Sequence, residues 1–211
     1  MGIIYTQVLG NGILQTINYK MSYLNQKLTF TDNNIHFTSS VGQEHFVMMD
    51  WEDNIMSASS AYVCENGGDI LEIGFGMGIS AGYIQSHSIN SHTICECHPD
   101  VIPKAIAWAS DKPNVTIVSQ SWYDAFLNGL ETYDGIFSDP YLDETIAHFS
   151  SSLETLCNAG CKVTWWNNTR GQVNDYGFDD STITYDVLDC TPTINDYYKG
   201  NKYYLPKFQY V

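Results

Sequence analysis

Positive charge is scarce in this chain. Lys and Arg together number nine, only Arg170 is an arginine, and they face 24 Asp and Glu in 211 residues, for a formal net charge of −15. So negative a surface repels polyphosphate, which argues against nucleic acid as a partner, attracts small cations and serves solubility. Long apolar runs are also missing. No stretch reaches membrane-spanning length, and the opening "MGIIYTQVLGNGILQTINYK" has no basic leader ahead of an apolar run, so no signal peptide is expected. Without one, Cys64, Cys95, Cys97, Cys157, Cys161 and Cys190 read as reduced thiols of a cytoplasmic protein. The spacing of Cys95 and Cys97 with Cys157 and Cys161 fits no common zinc site, so no metal is expected. What is present, 44% hydrophobic and 14% aromatic residues, suffices for a packed domain.

Residues 1–40 read as short strands joined by turns: "IIYTQVL" and "ILQTINY" around "GNG", then "KLTFT" and "IHFTS" around "DNN". A helix follows from the mid-fifties to Cys64 and stops at "ENGG". Then apolar strands alternate with amphipathic helices: "DILEIG", "ISAGYIQSH", "TICEC", "PDVIPKAIAWAS", "VTIVS", "WYDAFLNGL", "YDGIFSD", "DETIAHFSSSLETLCNAG", "KVTWWN". That alternation predicts an α/β fold with a mostly parallel sheet covered by helices on both faces. "STITYDVLDC" and "KYYLPKFQYV" lack an intervening helix and predict an antiparallel hairpin at one sheet edge. Two regions are expected, a β-hairpin extension over 1–46 and the main domain over 47–211.

In such a sheet the ligand sits where the first strand ends. Gly74, Gly76 and Gly78 occupy that turn, where missing side chains allow a tight bend and close approach of a ligand. The dinucleotide fingerprint G-x-G-x-x-G would need glycine at 79, where the chain has Ile79. The G-x-G-x-G spacing, with Glu72 ahead of it and Glu96 at the end of the next strand, looks instead like the S-adenosylmethionine (SAM) turn of class I methyltransferases, Glu96 being placed to accept from ribose hydroxyls.

Two further stretches, "VMMDWEDNIM" (47–56) and "YDGIFSDPYLDET" (133–145), together with "LEIGFGMGIS", "ICECHPDV" and the tail, resemble the guanidinoacetate N-methyltransferases and the related arginine N-methyltransferases over residues 22–211. The resemblance implies a Rossmann-like class I methyltransferase fold with a seven-stranded sheet. It implies SAM as cofactor, S-adenosylhomocysteine (SAH) as product, and a small cationic guanidino or amine acceptor. It places Met48, Glu52 and Met56 over cofactor and substrate. Gly74, Phe75, Gly76, Met77, Gly78, Ile79 and Ser80 fall around the methionine part. Glu96, Cys97 and His98 fall at the ribose and adenine, with Trp122 and Tyr123 on the adenine side. Glu52 and Asp139 match the carboxylates that clasp a guanidinium, and Asn168 and Thr169 a loop that closes on the substrate. By themselves Glu52 reads as a solvated acid at a helix start and Asp139 as a strand-end cap.

The chain departs from the family pattern twice. Pro140 stands where the family has threonine, and "TRGQVNDYGFDDSTI" is too short for the helix that shapes the family's substrate pocket. "SDPY" also resembles the D-P-P-Y element of amino-methyltransferases, which would put Tyr141 against the target amine. A spermidine synthase-like aminopropyltransferase and a SAM-binding protein without turnover are further alternatives. The oligomeric state stays open, a homodimer included.

Overall fold

The computed structural model describes residues 23–211, without the side chains of residues 171 and 172. The first expected hairpin, "IIYTQVL" with "ILQTINY", lies outside the described residues. The second is present: β1 (Thr29–Phe30) pairs antiparallel with β2 (Asn34–Thr38). A third strand, β3 (Glu44–Met49), pairs with β2 and was not expected. The boundary expected between residues 46 and 47 falls inside it. The chain then makes a 3-10 turn, Asp50–Glu52, and enters α1 (Asp53–Val63). Ile55, Met56, Ser59, Ser60 and Val63 form the buried stripe of α1, at the three-to-four-residue spacing that packs one helix face on a sheet. Gly67 and Gly68, both at positive φ, end the helix segment and turn the chain into the sheet.

The main sheet contains β4 (Asp69–Ile73), β5 (Ser91–Cys95), β6 (Val115–Val118), β7 (Tyr133–Ser138), β8 (Cys157–Trp165), β9 (Thr184–Asp189) and β10 (Lys202–Gln209), ordered β6-β5-β4-β7-β8-β10-β9. Strands β4 to β8 are parallel, and β10 runs antiparallel between β8 and β9. The expected antiparallel hairpin at one edge is therefore β9–β10. Helices α2 (Ile79–Gln85), α3 (Ile102–Ala109), α4 (Trp122–Leu127) and α5 (Phe149–Leu156) alternate with the strands. The central strands are apolar runs buried on both faces: in β4, Ile70, Leu71 and Ile73 are at most 2% exposed.

One boundary differs from the sequence reading. Residues 157–160 open β8 instead of continuing the preceding helix. Gly160 N–H donates to the Tyr210 carbonyl and Tyr210 N–H to the Cys161 carbonyl, so the C-terminal strand claims this backbone. The segment after β8 holds no α-helix, as expected, but is wound into 3-10 turns over Arg170–Tyr176 and Asp180–Thr182. Among the described residues no helix is long and apolar enough to cross a membrane.

Candidate active site

The sheet order reverses direction at β4, and the site forms there, at the carboxyl ends of β4, β5 and β7. Gly74, Gly76 and Gly78 all adopt left-handed backbone. Gly74 N–H donates to the Cys95 carbonyl at 2.9 Å, and the Asp139 N–H to the Ile73 carbonyl at 2.8 Å, so the turn is tied to both neighbouring strands. A Cβ on Gly74 would collide with the Asp139 carbonyl oxygen, and one on Gly76 would lie 2.5 Å from the Met48 sulfur. Met77 N–H donates to that sulfur at 3.2 Å, which pins β3 over the turn.

Glu96 follows β5 and is 8% exposed. Its carboxylate accepts from the N–H groups of Phe75 (3.0 Å), Cys97 (2.8 Å) and His98 (2.7 Å). It therefore joins the end of β5 to the glycine turn. Beside it is a small cavity of 40 Å³, walled by Tyr23, Leu24, Cys97, Ser121 and Trp122. Gly74, Pro140, Tyr141 and Asp143 line both this cavity and a larger one of 890 Å³.

Glu52 and Asp139 line the larger cavity. Glu52 is 3% exposed. Its Oε1 accepts from the Met49 N–H at 2.8 Å and from the Tyr197 hydroxyl, whereas Oε2 accepts nothing among the described side chains. Tyr197 is held by Trp51, stacked at 6.0 Å, and by Trp166 at 6.1 Å. Asp139 sits just past β7, and its carboxylate makes no hydrogen bond to a described side chain. Burial raises both acids above the ordinary carboxylate range. Glu52 is pushed up to about 8, with Asp139 adding repulsion and its two hydrogen bonds opposing the shift. Asp139 is pushed up to about 7, with Glu72 adding repulsion.

A carboxyl whose folded pKa is raised favours the native state fully only below its unfolded value, and that contribution is lost as pH rises through the folded value. Ligand-free protein should therefore lose melting temperature between about pH 5 and 8, and the Glu52→Gln, Asp139→Asn double variant should show a flatter curve over that range. Asp100, held low by Lys27 and the Leu28 N–H, acts in the opposite sense and only at lower pH.

Of the expected site residues, Met48, Glu52, Gly74, Phe75, Gly76, Ser80, Asp139, Tyr141 and Asn168 line the larger cavity. Glu96, Cys97 and Trp122 line the smaller. Thr169 lies on an outer groove with Arg170, Lys199 and Lys202. The others stand on none of these walls. Met56 is wholly buried in the core. Met77 and Ile79 pack against core clusters, and Gly78 caps α2. His98 is buried against the Tyr23 carbonyl at 3.2 Å, and Tyr123 stacks on His148 at 5.0 Å. The Tyr141 ring packs on Tyr23 at 4.6 Å. The cavity also exposes residues that the sequence did not single out: Tyr197, Asp196, Trp166, His45, Asp143 and Asp175. Tyr197 and Asp196 arrive from the β9–β10 connection, roughly 145 residues from Glu52, so no local pattern announces them.

Two structures with this fold are spermidine synthase from Thermotoga maritima (TM-score 0.57, 12% identity, 87% of this chain and 72% of that one) and the N-methyltransferase NodS from Bradyrhizobium japonicum (TM-score 0.55, 12% identity, 76% and 96%). Protein arginine N-methyltransferase 2 of Yarrowia lipolytica is 38% identical over 64% of this chain and 29% of its own. The protein of that name from Emericella nidulans is 33% identical over 78% and 38%. The chain thus spans about a third of the length of the curated relatives it matches. The family model described as guanidinoacetate N-methyltransferase matches residues 15–163, across the glycine turn, Glu52, Glu96 and Asp139, and the chain belongs to the guanidinoacetate N-methyltransferase family.

Proposed function

We propose that the chain is a SAM-dependent N-methyltransferase whose acceptor is a guanidino group. The observation that carries this reading is the pair Glu52 and Asp139: a buried carboxyl and a half-buried one, each with free acceptor capacity, on one cavity that begins at the glycine turn. A planar cation with paired N–H donors answers that arrangement, because each carboxylate takes a charge-assisted bond and together they fix the plane.

The residues present fit the cofactor. The left-handed glycines hold the turn tight against Asp139, Met48 and Phe75, with Gly74 and Gly76 on the cavity wall, and Glu96 is locked beside it with lone pairs to spare. When bound, SAM supplies a sulfonium-activated methyl group and leaves as SAH. The chain supplies position and a proton acceptor. Met48, Phe75 and Ser80 bound the methionine end, with Glu96, Cys97 and Trp122 on the nucleoside side. Glu52 orients the guanidinium, and Tyr197, bonded to Oε1, leaves Oε2 for the acceptor. Asp139 takes the proton from the nitrogen to be methylated, which frees its lone pair.

Incubation with SAM and a panel of guanidines and amines, read by mass spectrometry, tests the reading. Methyl addition to guanidino nitrogen is expected. Transfer only to primary amines would move the site to Tyr141 and the amino-methyltransferase alternative. A second expectation concerns the cofactor alone. SAH should raise the melting temperature, as a ligand of the native state does, and Glu96→Ala should lose most of that shift. An equal shift in both proteins would contradict the ribose assignment.

A further inference from the structure

Beyond Glu52 and Asp139, four more carboxylates line the acceptor cavity: Asp143, Glu144, Asp175 and Asp196. Two have structural work. Asp143 accepts from the Trp122 indole and from Thr145, and Asp196 from the Phe46 N–H, with His45 Nδ1 3.0 Å away. Glu144 and Asp175 are different. They stand on the facing 3-10 turns Glu144–His148 and Arg170–Tyr176, both are exposed, and neither is bonded to a described side chain. Among the described residues no Lys or Arg lines this cavity. Arg170, Lys199 and Lys202 border the outer groove instead. There Arg170 lies over the Tyr185 ring at 4.9 Å and Lys202 pairs with Asp189.

We propose that the acceptor is a small dication, a guanidine carrying a second cationic amine at the far end of a short alkyl chain, with Glu144 and Asp175 holding that amine. This rests on the guanidine reading of Glu52 and Asp139. It goes further, because it sets this cavity against a guanidino acid, whose carboxylate would enter a wall of like charges that no Lys or Arg among the described residues answers. Like charges brought together disfavour the wrong partner, as opposite charges favour the right one, and both effects are screened at these exposed positions. The unpartnered Oε2 of the buried Glu52 at the cavity floor marks where the guanidinium end begins.

Three probes with one spacer isolate the tail: 4-aminobutylguanidine, butylguanidine and 4-guanidinobutanoate. With SAM saturating, kcat/KM should fall in that order, by about tenfold at each step, as expected for gaining and then reversing a partly screened charge contact. The Glu144→Gln, Asp175→Asn double variant should narrow the ratio between the first two probes, mainly through KM, and salt should narrow it as well. These exposed positions on turns are replaced without emptying the core, and an unchanged SAH-induced thermal shift confirms folding. Equal use of all three probes, or preference for the guanidino acid, overturns the dication while leaving guanidine methylation standing. If that preference disappears in Lys199→Ala, the carboxylate is captured in the outer groove instead. A lysine-flanked arginine peptide preferred over the small dication by more than about tenfold moves the acceptor to a polypeptide and overturns the small-molecule assignment. Methylation of no guanidine at all refutes the underlying reading together with this one.

Discussion

Asp139→Asn should lower turnover by about a hundred- to ten-thousandfold, the usual cost of losing a positioned general base, while SAH binding changes little. The asparagine keeps the size of the side chain and an acceptor oxygen, so the cavity and the β7 end stay in place. What is lost is the charge and the proton site. Asp139 is suited to that role because its carboxyl is raised to about 7, where it exchanges a proton readily near neutral pH. Glu52→Gln should act differently, mainly raising the acceptor KM, since it removes one charged hydrogen bond worth about 1.5–3 kcal/mol. Because both acids hold one substrate, the double variant should be less impaired than the product of the single effects. Rates and SAH affinities of the four proteins check this; near-normal turnover in Asp139→Asn would remove it from the chemistry.

Gly74→Ala should be nearly as damaging, for a different reason. At φ +91° any Cβ is strained, and here it also meets the Asp139 carbonyl oxygen, which is backbone and cannot swing aside. The strain alone is of order 1–3 kcal/mol. The collision in addition pushes the β7 end away from β4, and with it the Asp139 side chain, so SAH binding and turnover should fall together. Gly129→Ala is the matching control. Its φ is +93° but a Cβ there meets nothing within 4 Å, so it should show only the strain in a denaturation curve. If the two variants behave alike, the contact between the glycine turn and Asp139 is not what organises the site.

The parts of this molecule that could be read from sequence are those fixed by local pattern. The strand–helix alternation from Asp69 onward is legible because the central strands are short apolar runs between turns, and a helix such as Phe149–Leu156 shows one buried stripe. The glycine turn and the acid at the end of β7 are legible for the same reason: their chemistry sits in a few consecutive residues. β3 was missed because its burial rises steadily from Glu44 to Met49 and shows no alternation. The start of β8 was read as helix because Leu153, Leu156 and Cys157 continue a helical spacing; only pairing with Tyr210, far along the chain, reveals the strand. The burial of Glu52 is the sharpest case. Alone it is an acid at a helix start. It becomes a shielded site residue because Tyr197, backed by Trp51 and Trp166, closes over it. Tyr197, Asp196 and Asp175 gain meaning only from that long-range closure, which no spacing rule contains.

The central claim is that Glu52 and Asp139 hold a guanidinium as carboxylates although desolvation raises the pKa of both when the cavity has no cation. Binding must then expel protons, because a cation beside the two acids lowers their pKa values again. Calorimetric titration of butylguanidine into the SAH-loaded protein at pH 7, repeated in buffers of different ionisation enthalpy, counts those protons. The account predicts net proton release on guanidine binding, reduced in Asp139→Asn and in Glu52→Gln and absent in the double variant. Binding without proton release, or release that persists in the double variant, would contradict it.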